Sequence, residues 1–126
     1  HKIVCSGSSG IQVTADEQQI VQVLNNLLAN AIKYSPDSTE IFVHISRVSD
    51  YVKVPVKDTG VGINLEDQQR VFQRFFRGAE FQKKFAGMGI GLYVCEQIIK
   101  NHNGTIWLES EKNHGSTFNF TIPIEP

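Results

Sequence analysis

A one-sided helix near the start of the chain restricts its fold more than any other feature. From Asp16 to about Tyr34 the apolar residues Ile20, Val23, Leu24, Leu27, Leu28 and Ala31 recur in the three-then-four rhythm of a buried helical stripe. Thr14 or Asp16 supplies an N-cap, and Glu17 in the first turn suits the positive end of the helix dipole. Ser35-Pro36-Asp37 stops the helix, because the residue before a proline is pushed out of helical geometry. A stripe of this length needs an apolar layer to cover it.

The rest of the chain offers strands for that layer. Ile3-Val4 and Ile11-Gln12-Val13 read as short strands around a flexible Ser6–Gly10 turn. Ile41–Ile45 and Val52–Val56 read as a hairpin turning at Ser49-Asp50. In its second arm Val52, Val54 and Val56 alternate with Lys53, Pro55 and Lys57, so one face is buried and the other polar. Pro55 donates no hydrogen bond, which implies an edge position or a bulge. A second amphipathic helix runs from Leu92 to His102, with Leu92, Cys95, Ile98 and Ile99 inward and a turn at Asn103-Gly104. Thr105–Glu109 and Ser116–Ile122 close the chain as an antiparallel pair turning at His114-Gly115. Strands and helices are grouped and do not strictly alternate. The expected class is therefore α+β, a two-layer sandwich.

Composition bounds the alternatives. A chain of 126 residues, 40% hydrophobic and 20% charged, makes one domain with a real core. Twelve basic and thirteen acidic residues give a net charge of −1, so no global field points to nucleic acid or an anionic membrane. Cys5 and Cys95 form no metal or redox spacing and read as reduced thiols in an intracellular setting. No apolar run is long enough to span a bilayer. The opening His1-Lys2-Ile3-Val4 suggests a domain excised from a longer protein, whose membrane segment, if any, lies outside this fragment.

Four stretches carry candidate chemistry. On the first helix Asn26, Asn30 and Lys33 fall within about 60° of one another at 100° per residue. Two amides and an ammonium on one face suit a metal–phosphate group, since amide oxygens ligate Mg²⁺ and the lysine offsets negative charge. A solvated helix face is the plainer reading, against which Asn25, Asn26 and Asn30 carry a propensity penalty. Asp58-Thr59-Gly60-Val61-Gly62-Ile63 follows a strand. Its aspartate suits an exocyclic amine and its glycines admit a flat ring, though an ordinary loop has the same composition. Gly87-Met88-Gly89-Ile90-Gly91-Leu92 opens the second helix, where successive N–H groups and the helix terminus favour phosphate; a flexible hinge is the alternative. Val71-Phe72-Gln73-Arg74-Phe75-Phe76-Arg77 lies between them, in a long glycine-rich segment from Asp58 to about Gly91 with one helical patch at Gln68–Phe76. Connections of that length are lids or linkers. No P-loop, Rossmann or protein-kinase signature is present.

The order of these stretches is more specific than any one of them. Asn26 to Pro36 resembles the N box of histidine kinases, Asp58 to Ile63 their G1 box, Phe72 to Arg77 their F box and Gly87 to Leu92 their G2 box. Gly115-Ser116-Thr117-Phe118 is similar to their last glycine-containing element. The match runs from about Asp16 to Pro123. It places the chain with the ATP-binding catalytic domains of two-component sensor histidine kinases, in the gyrase, chaperone, histidine-kinase and mismatch-repair ATPase superfamily.

This resemblance implies a mixed, mostly antiparallel sheet covered on one face by helices, with residues 1–126 as one catalytic domain and an ATP lid at about 64–89. It implies that Asp58 receives the adenine amino group, while Gly60, Gly62, Ile63, Leu92 and Thr117 surround the base and Tyr34 packs near the nucleoside. Asn30 would be the principal Mg²⁺ ligand with Asn26 in support, and Lys33 and Arg77 would neutralise phosphate charge as the catalytic cations. Gly87, Met88, Gly89, Ile90 and Gly91 would form the phosphate-facing end of the lid, where Met88 and Ile90 depart from the commoner residues but keep the glycine frame. Phe72, Phe75 and Phe76 would anchor the lid or dock on the partner domain.

Related ATPases carry a water-activating glutamate four residues before the metal asparagine. Asn26 stands there in this chain, and an amide is no general base. Transfer to an external acceptor is therefore favoured over hydrolysis. None of His1, His44, His102 and His114 has a phosphoacceptor context, so the implied partners are the protein's own dimerisation and histidine-phosphoacceptor domain and a downstream response regulator, at a cytoplasmic site. The isolated chain is not expected to phosphorylate itself. The competing expectations are a nucleotide-binding regulatory module without transfer and a serine-directed anti-sigma-type kinase, the latter disfavoured by the full F box.

Overall fold

The computed structural model describes residues 2–7, 13–34, 40–60, 62–63, 65–68, 71–72, 91–111 and 114–124. The elements in chain order are β1 (Lys2–Gly7), α1 (Glu17–Tyr34), β2 (Glu40–Val48), β3 (Tyr51–Asp58), α2 (Leu65–Gln68), α3 (Gly91–Asn101), β4 (Thr105–Glu111) and β5 (Gly115–Pro123). They build one five-stranded sheet in the order β1-β2-β3-β5-β4.

The sheet is mixed. β1 runs parallel to β2, and every other neighbouring pair is antiparallel. A parallel pair cannot be joined by a tight turn and needs a long crossover, which α1 provides. β1 is longer than the expected Ile3-Val4. Ser6 and Gly7, read as part of a turn, pair with His44 and Ile45 at the end of the strand. Ile11 and Gln12 lie outside the described residues, and Val13 stands exposed before α1 and outside any strand.

Between the two N-cap candidates the structure selects Asp16, whose Oδ1 accepts the backbone N–H of Gln19 at 3.1 Å. The far end of α3 closes with a left-handed Asn103 (φ 62°). Gly104 N–H donates to the Ile99 carbonyl (2.9 Å) and Asn103 N–H to that of Lys100 (3.0 Å), a Schellman arrangement that satisfies carbonyls the helix leaves free. His102 then joins the helices. One ring nitrogen, Nδ1, lies 2.8 Å from the Ile98 carbonyl and the other accepts the backbone N–H of Asp16 at 3.0 Å, so Nδ1 carries the proton. That histidine is structural.

α1 and α3 pack together on one face of the sheet. Val23, Leu27 and Ala31 of α1 meet Leu92, Cys95, Ile98 and Ile99 of α3 above Ile41, Val43, Val54, Val56, Phe118, Phe120 and Ile122. The predicted inward residues of α3 are all buried. Each fully buried aliphatic side chain stabilises the fold by about 1.5–3 kcal/mol, so this layer contact holds the sandwich. On the opposite face, Lys53 Nζ sits 5.5 Å from the Trp107 ring centre. Asn119, 1% exposed, donates to Glu109 (3.2 Å) and to the Thr117 carbonyl (3.3 Å).

Pro55 is neither at an edge nor in a bulge. β3 lies between β2 and β5, and Pro55 pairs with Asn119 of β5. On the β2 side the register pairs Phe42 with Lys57 and Val43 with Val56, then resumes at Ser46 and Lys53 in the same phase. The missing donor is absorbed by a two-residue gap in one ladder, with the other intact.

Candidate functional site

Three elements converge on the stretches singled out in the sequence. α1 carries the asparagine stripe. Asn25 is exposed, Asn26 half-buried and Asn30 1% exposed. Asn26 Nδ2 donates to the Gly91 carbonyl at 3.4 Å, which ties the stripe to the first turn of α3, where the glycine motif ends. A Cβ at Gly91 would stand 3.9 Å from the Asn26 amide, in ordinary contact.

Asn30 is the anomaly. Both Nδ2 and Oδ1 are buried and make no hydrogen bond among the described residues. Burying an unpaired amide costs about 1–3 kcal/mol, and few such groups persist in native structures without a reason. An amide oxygen is a hard donor of the kind Mg²⁺ takes, so the residue fits a metal site. Lys33 and Tyr34 follow on the same helix, but their side chains lie outside the described residues.

β3 ends on the second anomaly. Asp58 is 1% exposed; its Oδ1 accepts Gly60 N–H at 2.9 Å while its Oδ2 has no partner. Burial pushes its carboxyl above the ordinary carboxylate value, and the backbone N–H groups of Gly60 and Ser116 pull it back in part. A buried oxygen with free lone pairs is an acceptor awaiting a donor. Gly62, with φ at 71°, and Ile63, 1% exposed, continue from it into the core. Gly115 faces this turn closely: a Cβ there would stand 2.3 Å from the Asp58 carbonyl, and its φ of 91° already disfavours any side chain.

The strand register fixes the face on which Thr117 lies. Asp58 pairs with Ser116, whereas Thr117 pairs with Lys57 and Glu109. Side chains alternate across a sheet, so Thr117 lies on the face opposite Asp58, and the hydroxyl on the Asp58 side belongs to Ser116. The signal was present in Gly115-Ser116-Thr117-Phe118: Phe118 is a core residue, and Ser116 shares its parity.

Leu92 (3% exposed) lies in α3 among the core residues. Phe72 packs edge-on against Phe118, with ring centres 6.2 Å apart, and Val71 is 4% exposed, so the start of the F-box stretch is anchored in the core. Of the helix expected at Gln68–Phe76 only Gln68, in α2, and the turn residues Val71 and Phe72 are described; the rest of that span lies outside the described residues. Arg74, Phe75, Phe76, Arg77, Gly87, Met88, Gly89 and Ile90 lie outside the described residues. Beneath α1, burial pushes the Cys95 thiol up to about 11, which keeps it protonated and unreactive.

A cleft of about 310 Å³ opens at this end of the sheet beside Asp58, Ser110, Ser116 and Thr117. Its lining sets the carboxylates of Glu109 and Glu111 beside Lys57 and His114, so the cleft is polar and of mixed charge.

Residues 15–126 match the sequence model of the histidine kinase-, DNA gyrase B- and HSP90-like ATPases. The chain is 46% identical over 113 residues to the adaptive-response sensory kinase SasA of Rippkaea orientalis, covering 89% of this chain and 29% of that protein. It is 38% identical over 125 residues to the sensor-like histidine kinase SenX3 of Mycolicibacterium smegmatis, covering 98% of this chain and 33% of that one. It thus spans about a third of the length of these relatives. Among solved structures it superposes on the catalytic domain of the histidine kinase ThkA with a TM-score of 0.83 at 33% identity, covering 98% of this chain and 78% of that one. It also superposes on full-length ShkA in complex with AMPPNP with a TM-score of 0.84 at 25% identity, covering 97% and 25%.

Proposed function

The chain belongs to the histidine kinase-, DNA gyrase B- and HSP90-like ATPase family, and from that premise we propose that it is the catalytic ATP-binding part of a sensor histidine kinase. It binds MgATP and presents the γ-phosphate to a histidine on a dimerisation domain, from which a response regulator is served. One observation carries this reading. Two polar side chains 1% exposed, Asn30 and Asp58, hold unpaired atoms on the two elements that the nucleotide motifs occupy.

The division of labour follows from the chemistry of each group. Asp58 Oδ2 accepts the exocyclic amine of adenine, and Ser116 takes the place on its face that Thr117 was expected to hold. Gly62 and Ile63 leave a flat approach for the ring. Asn30, supported by Asn26, would hold Mg²⁺, which when bound would offset the charge of the phosphates. Lys33 and Arg77 add positive charge, and the Gly87–Gly91 stretch adds backbone N–H groups. Phosphoryl transfer asks little covalent chemistry of the protein, so positioning and electrostatics suffice. Asn26, committed to the Gly91 carbonyl, abstracts no proton from water, which favours transfer over hydrolysis.

The test mixes this chain with a dimerisation domain bearing the acceptor histidine and labelled ATP. An acid-labile, alkali-stable phosphoprotein is expected. A chain that binds ATP yet labels no histidine under any condition would overturn this reading and leave the regulatory module or the serine-directed kinase.

A further inference from the structure

The loop that carries the base-binding glycines is held from outside by a serine and a glutamine that none of the motifs contains. Ile63 N–H donates to Ser110 Oγ at 2.8 Å, and Gln68 Nε2 donates to the Ile63 carbonyl at 2.6 Å. Both backbone groups of Ile63 are thus clamped by side chains. Gln68 spends its remaining N–H on the Ser110 carbonyl at 2.9 Å, which also covers part of the exposed edge of β4.

The hydroxyl of Ser110 has a single proton, and the Gly115 carbonyl at 3.0 Å takes it. The contact of 2.8 Å between Ser110 Oγ and Ser116 Oγ therefore runs with Ser116 as donor. Ser110 then has one proton given and two accepted, its full capacity. Ser116 is left with only lone pairs to offer on the face it shares with Asp58, whose Oδ2 is likewise an unpaired acceptor. The side chains of the neighbouring strands thus present acceptors and no donor at this point. A 6-amino purine brings N–H groups to such a place, and a 6-oxo purine brings a second set of lone pairs.

We propose that Ser110 and Gln68 are positioning residues for base selection: they fix the Gly62-Ile63 turn before nucleotide arrives, and Ser110 orients the Ser116 hydroxyl so that the pocket accepts adenine and rejects guanine. This rests on the nucleotide-binding reading above. It adds the residues that set selectivity from a distance.

Calorimetry of the 126-residue chain with Mg²⁺ and either ATP or GTP tests it, using Ser110→Val, Ser110→Thr and Gln68→Leu. Ser110→Val and Gln68→Leu are expected to weaken ATP binding roughly 5- to 20-fold and to reduce the ATP-over-GTP preference by a similar factor. Ser110→Thr, which keeps the hydroxyl, restores both. Melting of the nucleotide-free variants runs alongside, and Gln68→Leu, at a half-buried surface position, carries the test where Ser110→Val does not fold. Variants that keep wild-type affinity and preference overturn the inference. So does an equal loss for ATP and GTP, which marks a merely structural role. A wild-type chain that binds neither nucleotide overturns the parent reading as well, and is told apart by needing no variant.

Discussion

At the scale of single residues, the site is a set of local violations. Asn30 and Asp58 are buried polar groups with unpaired atoms, whereas the other buried side chains among the described residues are apolar or bonded. Burial raises the Asp58 pKa, so the folded chain holds that proton more tightly than the unfolded chain. Its contribution to stability is full below the unfolded carboxylate value and is lost as pH rises through the folded one. Asp58→Asn is accordingly expected to melt higher than wild type at pH 7 without nucleotide, and to lose that advantage as pH falls towards about 4. The same variant should bind ATP at least about tenfold more weakly, because a charged acceptor is gone. A melting difference that does not change with pH would refute the burial argument. Asp58 and Asn30 were legible in the sequence by residue type and spacing. Ser110 and Gln68 were not, because nothing in a serine of a strand or a glutamine of a short helix shows which distant backbone group it will meet.

Elements repeat the lesson with different physics. α1 was readable from end to end because helix periodicity, cap and stop are local properties of consecutive residues. The cap has two duties, holding Gln19 N–H through its side chain and His102 through its own N–H. Asp16→Ala, which removes only the first, is expected to destabilise the chain by about 0.5–2 kcal/mol. Urea unfolding with an unchanged slope measures it, and a shift in slope would mean that the unfolded or native ensemble had changed instead. β3 shows the limit of local reading. Pro55 argued for an edge or a bulge, yet the strand is central, since a one-sided loss of pairing is tolerated when the β5 ladder remains whole. The N-terminal strand was underestimated for a similar reason: its partner, β2, begins at Glu40, and α1 intervenes.

For the whole molecule, ligand and fold are linked. If MgATP binds the folded chain alone, a nucleotide concentration a hundredfold above the dissociation constant adds about 2.7 kcal/mol of stability. The melting temperature should rise with MgATP and rise less when the metal is chelated. In Asn30→Ala that metal-dependent increment should vanish while a smaller nucleotide effect remains. A retained increment would assign the metal to another group. What the sequence determined by itself was whatever depends on near neighbours: the helical stripe, the alternation of β3, the α+β class and the ordered nucleotide motifs. Only the tertiary structure decided which strand lies beside which, that Ser116 and not Thr117 shares the face of Asp58, and that Ser110 and Gln68 grip Ile63 from residues 47 and 5 positions away. Sheet order and cross-strand parity are fixed by packing between segments far apart in the chain, and no window of adjacent residues contains that information.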